Sequence, residues 1–134
     1  MHEQESEKET LKKGTSVLTA RLANLSQAYK SDSFTILDAH MDGNLMHLTV
    51  EYSGGCEVHS FEVLGSNAIM KSMPPQRAVL ILHNANGDAC RSLIVEQLTV
   101  DLSEFAYQQE DGSEIFLVVE GLEKIPFVFE RNSK

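Results

Sequence analysis

Hydrophobic and polar positions change their period twice along this chain, and the changes divide it into three stretches. Residues 1–14 are almost wholly polar, with Glu3, Glu5, Glu7 and Glu9 ahead of Lys12 and Lys13. Such a stretch cannot bury enough apolar surface to offset the cost of ordering, so it predicts a solvated tail or tether, with the folded domain over 15–134. From Ser16 on, Val17, Leu18, Leu22, Leu25, Ala28 and Tyr29 fall on one side of a 3.6-residue period, behind a Ser/Thr cap. That spacing predicts a short amphipathic helix over 16–29. An edge strand at Val17–Ala20 is the competing reading.

Beyond Asp32 the period falls to two. Phe34–Met41 and Asn44–Tyr52 read as a hairpin about Asp42-Gly43, a type I′ turn signal. In the second of these strands Met46, Leu48, Val50 and Tyr52 share the face expected to be buried. His47 falls on the polar face and His40 sits beside the turn, and the pattern gives neither any chemistry. Gly54-Gly55 breaks the run and Cys56–Leu64 resumes it, with His59, Phe61 and Val63 on the apolar side. Pro74-Pro75 bars a central strand in the following loop. Ala78–His83 is continuously apolar, as for a strand buried on both faces. Arg91–Leu102 is long and β-branched, and Ile115–Glu120 with Ile125–Glu130 makes a last hairpin around Gly121. About seven short strands separated by turns predict one all-β domain, an antiparallel β-sandwich of immunoglobulin-like architecture with a short N-terminal helix. A partly open β-barrel is the alternative.

Charge narrows the partners. Of 134 residues, 20 are acidic and 11 basic, for a formal net charge of −9. Such a surface repels phosphate backbones, so nucleic acid is not an expected partner; a protein or small ligand of unknown identity is. No apolar run reaches the roughly 18–20 residues of a membrane span. Met1-His2-Glu3-Gln4-Glu5 lacks the basic start and apolar middle of a secretory signal. The chain is therefore expected either to be cytoplasmic or to have lost a signal.

The densest candidate chemistry lies between Ser53 and Cys90, which holds both cysteines. Cys56 and His59 are three apart, so a flat strand would point them to opposite faces. They converge only where Gly54-Gly55 bends the backbone. His83 ends one strand and Cys90 begins the next. One reading is a Cys56–Cys90 disulfide, with His59 and His83 as structural neighbours. The other is a zinc-like metal site of Cys56, His59, His83 and Cys90, since two thiolates and two imidazoles suit tetrahedral zinc. Its Cys-x2-His and His-x6-Cys spacing matches no standard zinc module. Asn84, Asn86 and Asp88 read as turn residues or as support behind either arrangement, and the calcium loop they mimic lacks its glycine and glutamate. A Cys/His nucleophile would need an oxyanion hole and an orienting group, and no motif supplies them.

The residues Ser53-Gly54-Gly55-Cys56-x-x-His59-x-Phe61, then His83-x-x-x-x-Asp88-x-Cys90 and Leu98-x-x-Asp101-Leu102, resemble a group of small exported or lipid-anchored bacterial proteins of uncharacterised function. The resemblance spans about 34–102. It implies an all-β fold and an envelope or periplasmic location, with a lipid tether in the precursor, and it implies no activity. The cysteine pair and this resemblance together favour a non-enzymatic envelope module without a cofactor, stapled by Cys56–Cys90. The alternative is a zinc-binding protein or metalloenzyme.

Overall fold

A computed structural model of the chain describes residues 9–131. In chain order the strands are β1 (Glu9–Thr19), β2 (Arg21–Ala23), β3 (Thr35–Asp42), β4 (Leu45–Gly54), β5 (Ser60–Ser66), β6 (Gln76–Asn84) and β7 (Ser92–Asp101). A turn of 3-10 helix (Ser103–Phe105) precedes β8 (Glu114–Val119) and β9 (Ile125–Val128). They form two open sheets, ordered β1-β7-β4-β3 and β2-β5-β6-β8-β9. Neither sheet closes on itself.

The strands from β3 onward lie close to where the alternation puts them, but the pairing is not purely antiparallel. β1 runs parallel to β7, β2 parallel to β5, and β6 parallel to β8. The remaining neighbours are antiparallel, so both sheets are mixed. The helix expected over 16–29 is replaced by strand up to Ala23 and by turn and coil beyond it. Here tertiary pairing overrides a local stripe. Val17–Thr19 joins β7, Arg21–Ala23 joins β5, and the wholly buried Ala20 lies where the chain passes from one sheet to the other. Asn24 then accepts from the Ser26 N–H and hydroxyl through its side-chain oxygen, which turns the backbone away from a helical path. Strand also begins earlier than expected. Glu9–Lys13, within the predicted tail, pairs with Leu93–Gln97, while residues 1–8 of that tail lie outside the described residues.

The core lies between the two sheets. Met46, Leu48, Val50 and Tyr52 of β4 are buried, as the period-two pattern requires, and face Val63, Val79, Ile81, Ile115, Leu117 and Phe127 of the other sheet. Each such side chain contributes roughly 1.5–3 kcal/mol by leaving water. β6 is buried on one face only: Arg77, Val79, Ile81 and His83 point inward, while Ala78, Leu80 and Leu82 are half-buried. The buried Arg77 donates Nε–H to the Phe105 carbonyl at 2.9 Å and also reaches the Ser66 carbonyl.

The β3–β4 turn is Gly43–Asn44, one residue later than the Asp42-Gly43 signal, since Asp42 pairs with Leu45. Gly43 has φ 62° at the first central position, as a type II′ turn demands. The buried Asn44 side chain donates to the Glu130 carbonyl at 2.7 Å and accepts the Glu130 N–H at 2.9 Å, pinning the last segment.

Candidate functional site

The corner expected between Ser53 and Cys90 does assemble, at the end of the sandwich where β4 and β7 finish their ladder at Gly54 and Ser92. Gly54 closes β4 and Gly55 takes φ +120°, a conformation L side chains rarely adopt. The bend delays β5 to Ser60, four residues after its expected start, and uses the interval to turn Cys56 and His59 toward the same place. Cys56 and Cys90 are joined in a disulfide, with Cα atoms 5.8 Å apart.

Asp88 sits at the centre. Its Oδ2 accepts the N–H groups of Gly55, Cys56 and Glu57 at 3.0, 3.2 and 3.1 Å, and its Oδ1 accepts that of Cys90 at 3.0 Å. Oδ2 also lies 2.7 Å from His59 Nε2, and neither of these two side chains has any solvent exposure. The carboxyl group is held well below the usual carboxylate range, first by the His59 bond and then by the backbone N–H groups, which outweigh its burial.

A relay runs inward from there. His59 Nδ1 lies 2.8 Å from His83 Nε2, and His83 Nδ1 lies 3.0 Å from the Ser33 carbonyl. Both ends of this chain are pure acceptors, an ionised carboxylate and a carbonyl, so the outer ring nitrogens must each donate. Burial lowers the pKa of His83, with His59 acting in the same direction and the Ser33 carbonyl opposing.

Aromatic rings enclose the pair. Tyr52 stacks on His59 with centroids 4.2 Å apart, and Phe61 stacks on His83 at 4.6 Å and 7° between planes. Phe34 meets His83 edge-on at 5.6 Å. Tyr52 donates its hydroxyl to Glu96 Oε1 at 2.6 Å, and burial together with that carboxylate pushes its ionisation far up. The segment before β3 completes the lid: Asp32 N–H donates to the His83 carbonyl, and Asp32 Oδ2 accepts the Ala85 N–H.

The predicted corner thus forms as two pairs, Cys56 with Cys90 and His59 with His83, linked through Asp88. Among the described residues the ligand atoms gathered close enough to share one ion are those of Cys56, Asp88 and Cys90, without the two imidazoles. The sulfurs, however, are bonded to each other, and both nitrogens of each ring have partners, so in this oxidised state the four side chains present no vacant metal donor. Asn84 and Asn86 do turn work: Asn86 has φ 56° and its N–H donates to Asn84 Oδ1. Sequence reasoning placed Asp88 with them as a turn residue or support behind the corner; the structure makes it the support that links the two cysteine N–H groups to His59. The signal was its place two residues before Cys90, since an Asp there can accept the N–H two positions on. Nothing in the pattern pointed to Ser33 or Tyr52.

No protein-family model and no curated protein matches the chain. Solved structures do. The fold is similar to that of a NigD-like immunity protein from Bacteroides caccae, at 16% identity and TM-score 0.62, over 84% of this chain and 59% of that one. A putative toxin-related protein from Parabacteroides distasonis matches at 19% identity and TM-score 0.57, over 87% and 62%. A protein of unknown function from Bacteroides vulgatus matches at 13% identity and TM-score 0.52, over 85% and 56%. The chain therefore spans about three-fifths of the length of these proteins, and shares with them a β-rich fold.

Proposed function

We propose that this chain is a non-enzymatic protein-binding module of the bacterial envelope, locked at one end by Cys56–Cys90. The observation that carries the reading is the corner itself. A disulfide is a device of oxidising compartments. Around it every polar atom of the His59, His83 and Asp88 side chains is spent on a partner inside the molecule, an arrangement suited to bracing a fold rather than moving protons to a substrate. The Bacteroides caccae neighbour is named as an immunity protein, a name that fits recognition of another protein. The net charge of −9 favours a partner with a basic face.

The test is alkylation of the protein inside intact cells of its native host, before any reductant is added, followed by mass spectrometry and cell fractionation. The reading expects recovery in the envelope fraction with neither cysteine alkylated. Recovery from the cytoplasm with both thiols alkylated would overturn it.

A further inference from the structure

On the far side of the four-stranded sheet lies a second histidine pair. His40 of β3 and His47 of β4 stand directly opposite each other in the ladder, on the outward face, with ring centroids 5.3 Å apart. Carboxylates flank them along β3: Asp38 and Asp42 each lie two residues from His40 and so project from the same face. Asp38 Oδ2 lies 2.8 Å from His40 Nδ1. In the neutral ring that bond places the proton on Nδ1 and leaves Nε2 as the donor to a metal, the tautomer seen when a carboxylate supports a metal-bound imidazole. Asp42 Oδ2 lies 3.6 Å from His47 Nε2, too far for a hydrogen bond. Two donors on one tetrahedral ion with bonds of about 2.0–2.1 Å stand roughly 3.3 Å apart, so this spacing is close to that of two ligands sharing a metal. His47 Nδ1 faces Thr99 Oγ1 of β7 at 3.4 Å. The ligand atoms of His40, His47 and Asp42 do not all stand within 4.8 Å of one another, so chelation requires the His40 ring, whose side chain is 63% exposed, to swing toward His47.

We propose that His40, His47 and Asp42 form a binding site for a borderline divalent transition metal, of which zinc is the type, with Asp38 orienting His40. Imidazole nitrogen with one carboxylate suits such ions, whereas calcium and magnesium prefer all-oxygen sets. A cross-strand pair on a regular hairpin holds both rings at a spacing fixed by the backbone ladder, so ordering only two exposed side chains is needed to chelate. The site is separate from the disulfide corner and does not depend on the role given to it.

The experiment is calorimetric titration of the full chain with zinc chloride at neutral pH after removal of metals, with imidazole proton resonances followed by NMR. One equivalent should bind, and the His40 and His47 resonances should shift together. His47→Ala and His40→Ala should each weaken binding at least tenfold, and Asp38→Asn by about tenfold or more as the loss of an orienting partner does. His2→Ala, which removes a histidine outside the described residues, should leave the affinity unchanged. Since these side chains point to solvent, the metal-free melting temperatures should stay within a few degrees of the parent protein, which separates lost ligation from lost folding. Binding that survives His47→Ala, binding that vanishes with His2→Ala, or no saturable binding below millimolar zinc would each overturn the assignment.

Discussion

At the scale of single residues the molecule turns on Asp88. One short carboxylate accepts four backbone N–H groups and one imidazole, so its ionised form is what the corner is built around. Its native pKa lies below the unfolded value of 3.8. A depressed carboxylate contributes stability that is complete above the unfolded pKa and is lost as pH falls toward the native one. His83 works in the same direction at higher pH. Its native pKa is lowered below 6.5, so acidification lets the unfolded chain take up a proton that the buried ring refuses. Thermal unfolding followed between pH 6 and pH 2 should therefore show falling stability throughout. Asp88→Asn should be much less stable than the parent at pH 6, and the gap should narrow steadily below about pH 4 as the parent's carboxylate is titrated. A gap that stays constant down to pH 2 would mean that Asp88 acts by shape alone.

At the scale of elements, strand existence was legible and strand company was not. Met46, Leu48, Val50 and Tyr52 alternate cleanly because β4 has a buried face and a less buried one, and the same signal recovered β3 and β5 to β9 within a few residues. The parallel pairing of β1, β2 and β8 left no comparable trace, because side-chain alternation reports which face is buried and not which neighbour lies alongside. The stripe from Val17 to Tyr29 misled for a related reason. Those residues serve the end of β1, the short β2 in the other sheet and a coil, so their spacing mimics a helical face that never forms. Gly54-Gly55 shows the opposite case, a local signal whose reason is tertiary. A Cβ on Gly54 would stand 2.7 Å from His59 Nε2 and 2.8 Å from Asp88 Oδ2, because the His59–Asp88 hydrogen bond crosses directly over the end of β4. Gly54→Ala should thus cost about 3 kcal/mol in urea unfolding, from overpacking and a broken buried bond. Gly87→Ala is the control: its φ is +72° but nothing lies within 4 Å of the added methyl, so only backbone strain of about 1 kcal/mol is expected. Equal costs at the two positions would show that the strand end is not held by contact with the relay.

For the whole molecule, the corner is where the two sheets are tied. The disulfide joins the chain just after β4 to the chain just before β7, which belong to one sheet, while His59 immediately precedes β5 and His83 lies near the end of β6 in the other. Asp88 links the two halves, since it accepts the N–H groups of both cysteines and bonds His59. A cross-link between residues 34 apart removes enough freedom from the unfolded chain to stabilise by about 4 kcal/mol in the loop-entropy account. Reduction should therefore lower stability by a few kcal/mol, while a chelator should leave the oxidised His47→Ala protein, which lacks the proposed hairpin site, unchanged; the reverse would favour the four-residue zinc site. The two devices should also be coupled. In the doubly substituted Cys56→Ser, Cys90→Ser protein the backbone presented to Asp88 is no longer fixed by the cross-link, so part of the carboxylate's contribution is already lost. A double-mutant cycle should then find Asp88→Asn less damaging in the absence of the disulfide than in its presence. Strict additivity would separate the staple from the relay and make them neighbours that happen to share one end of the sandwich.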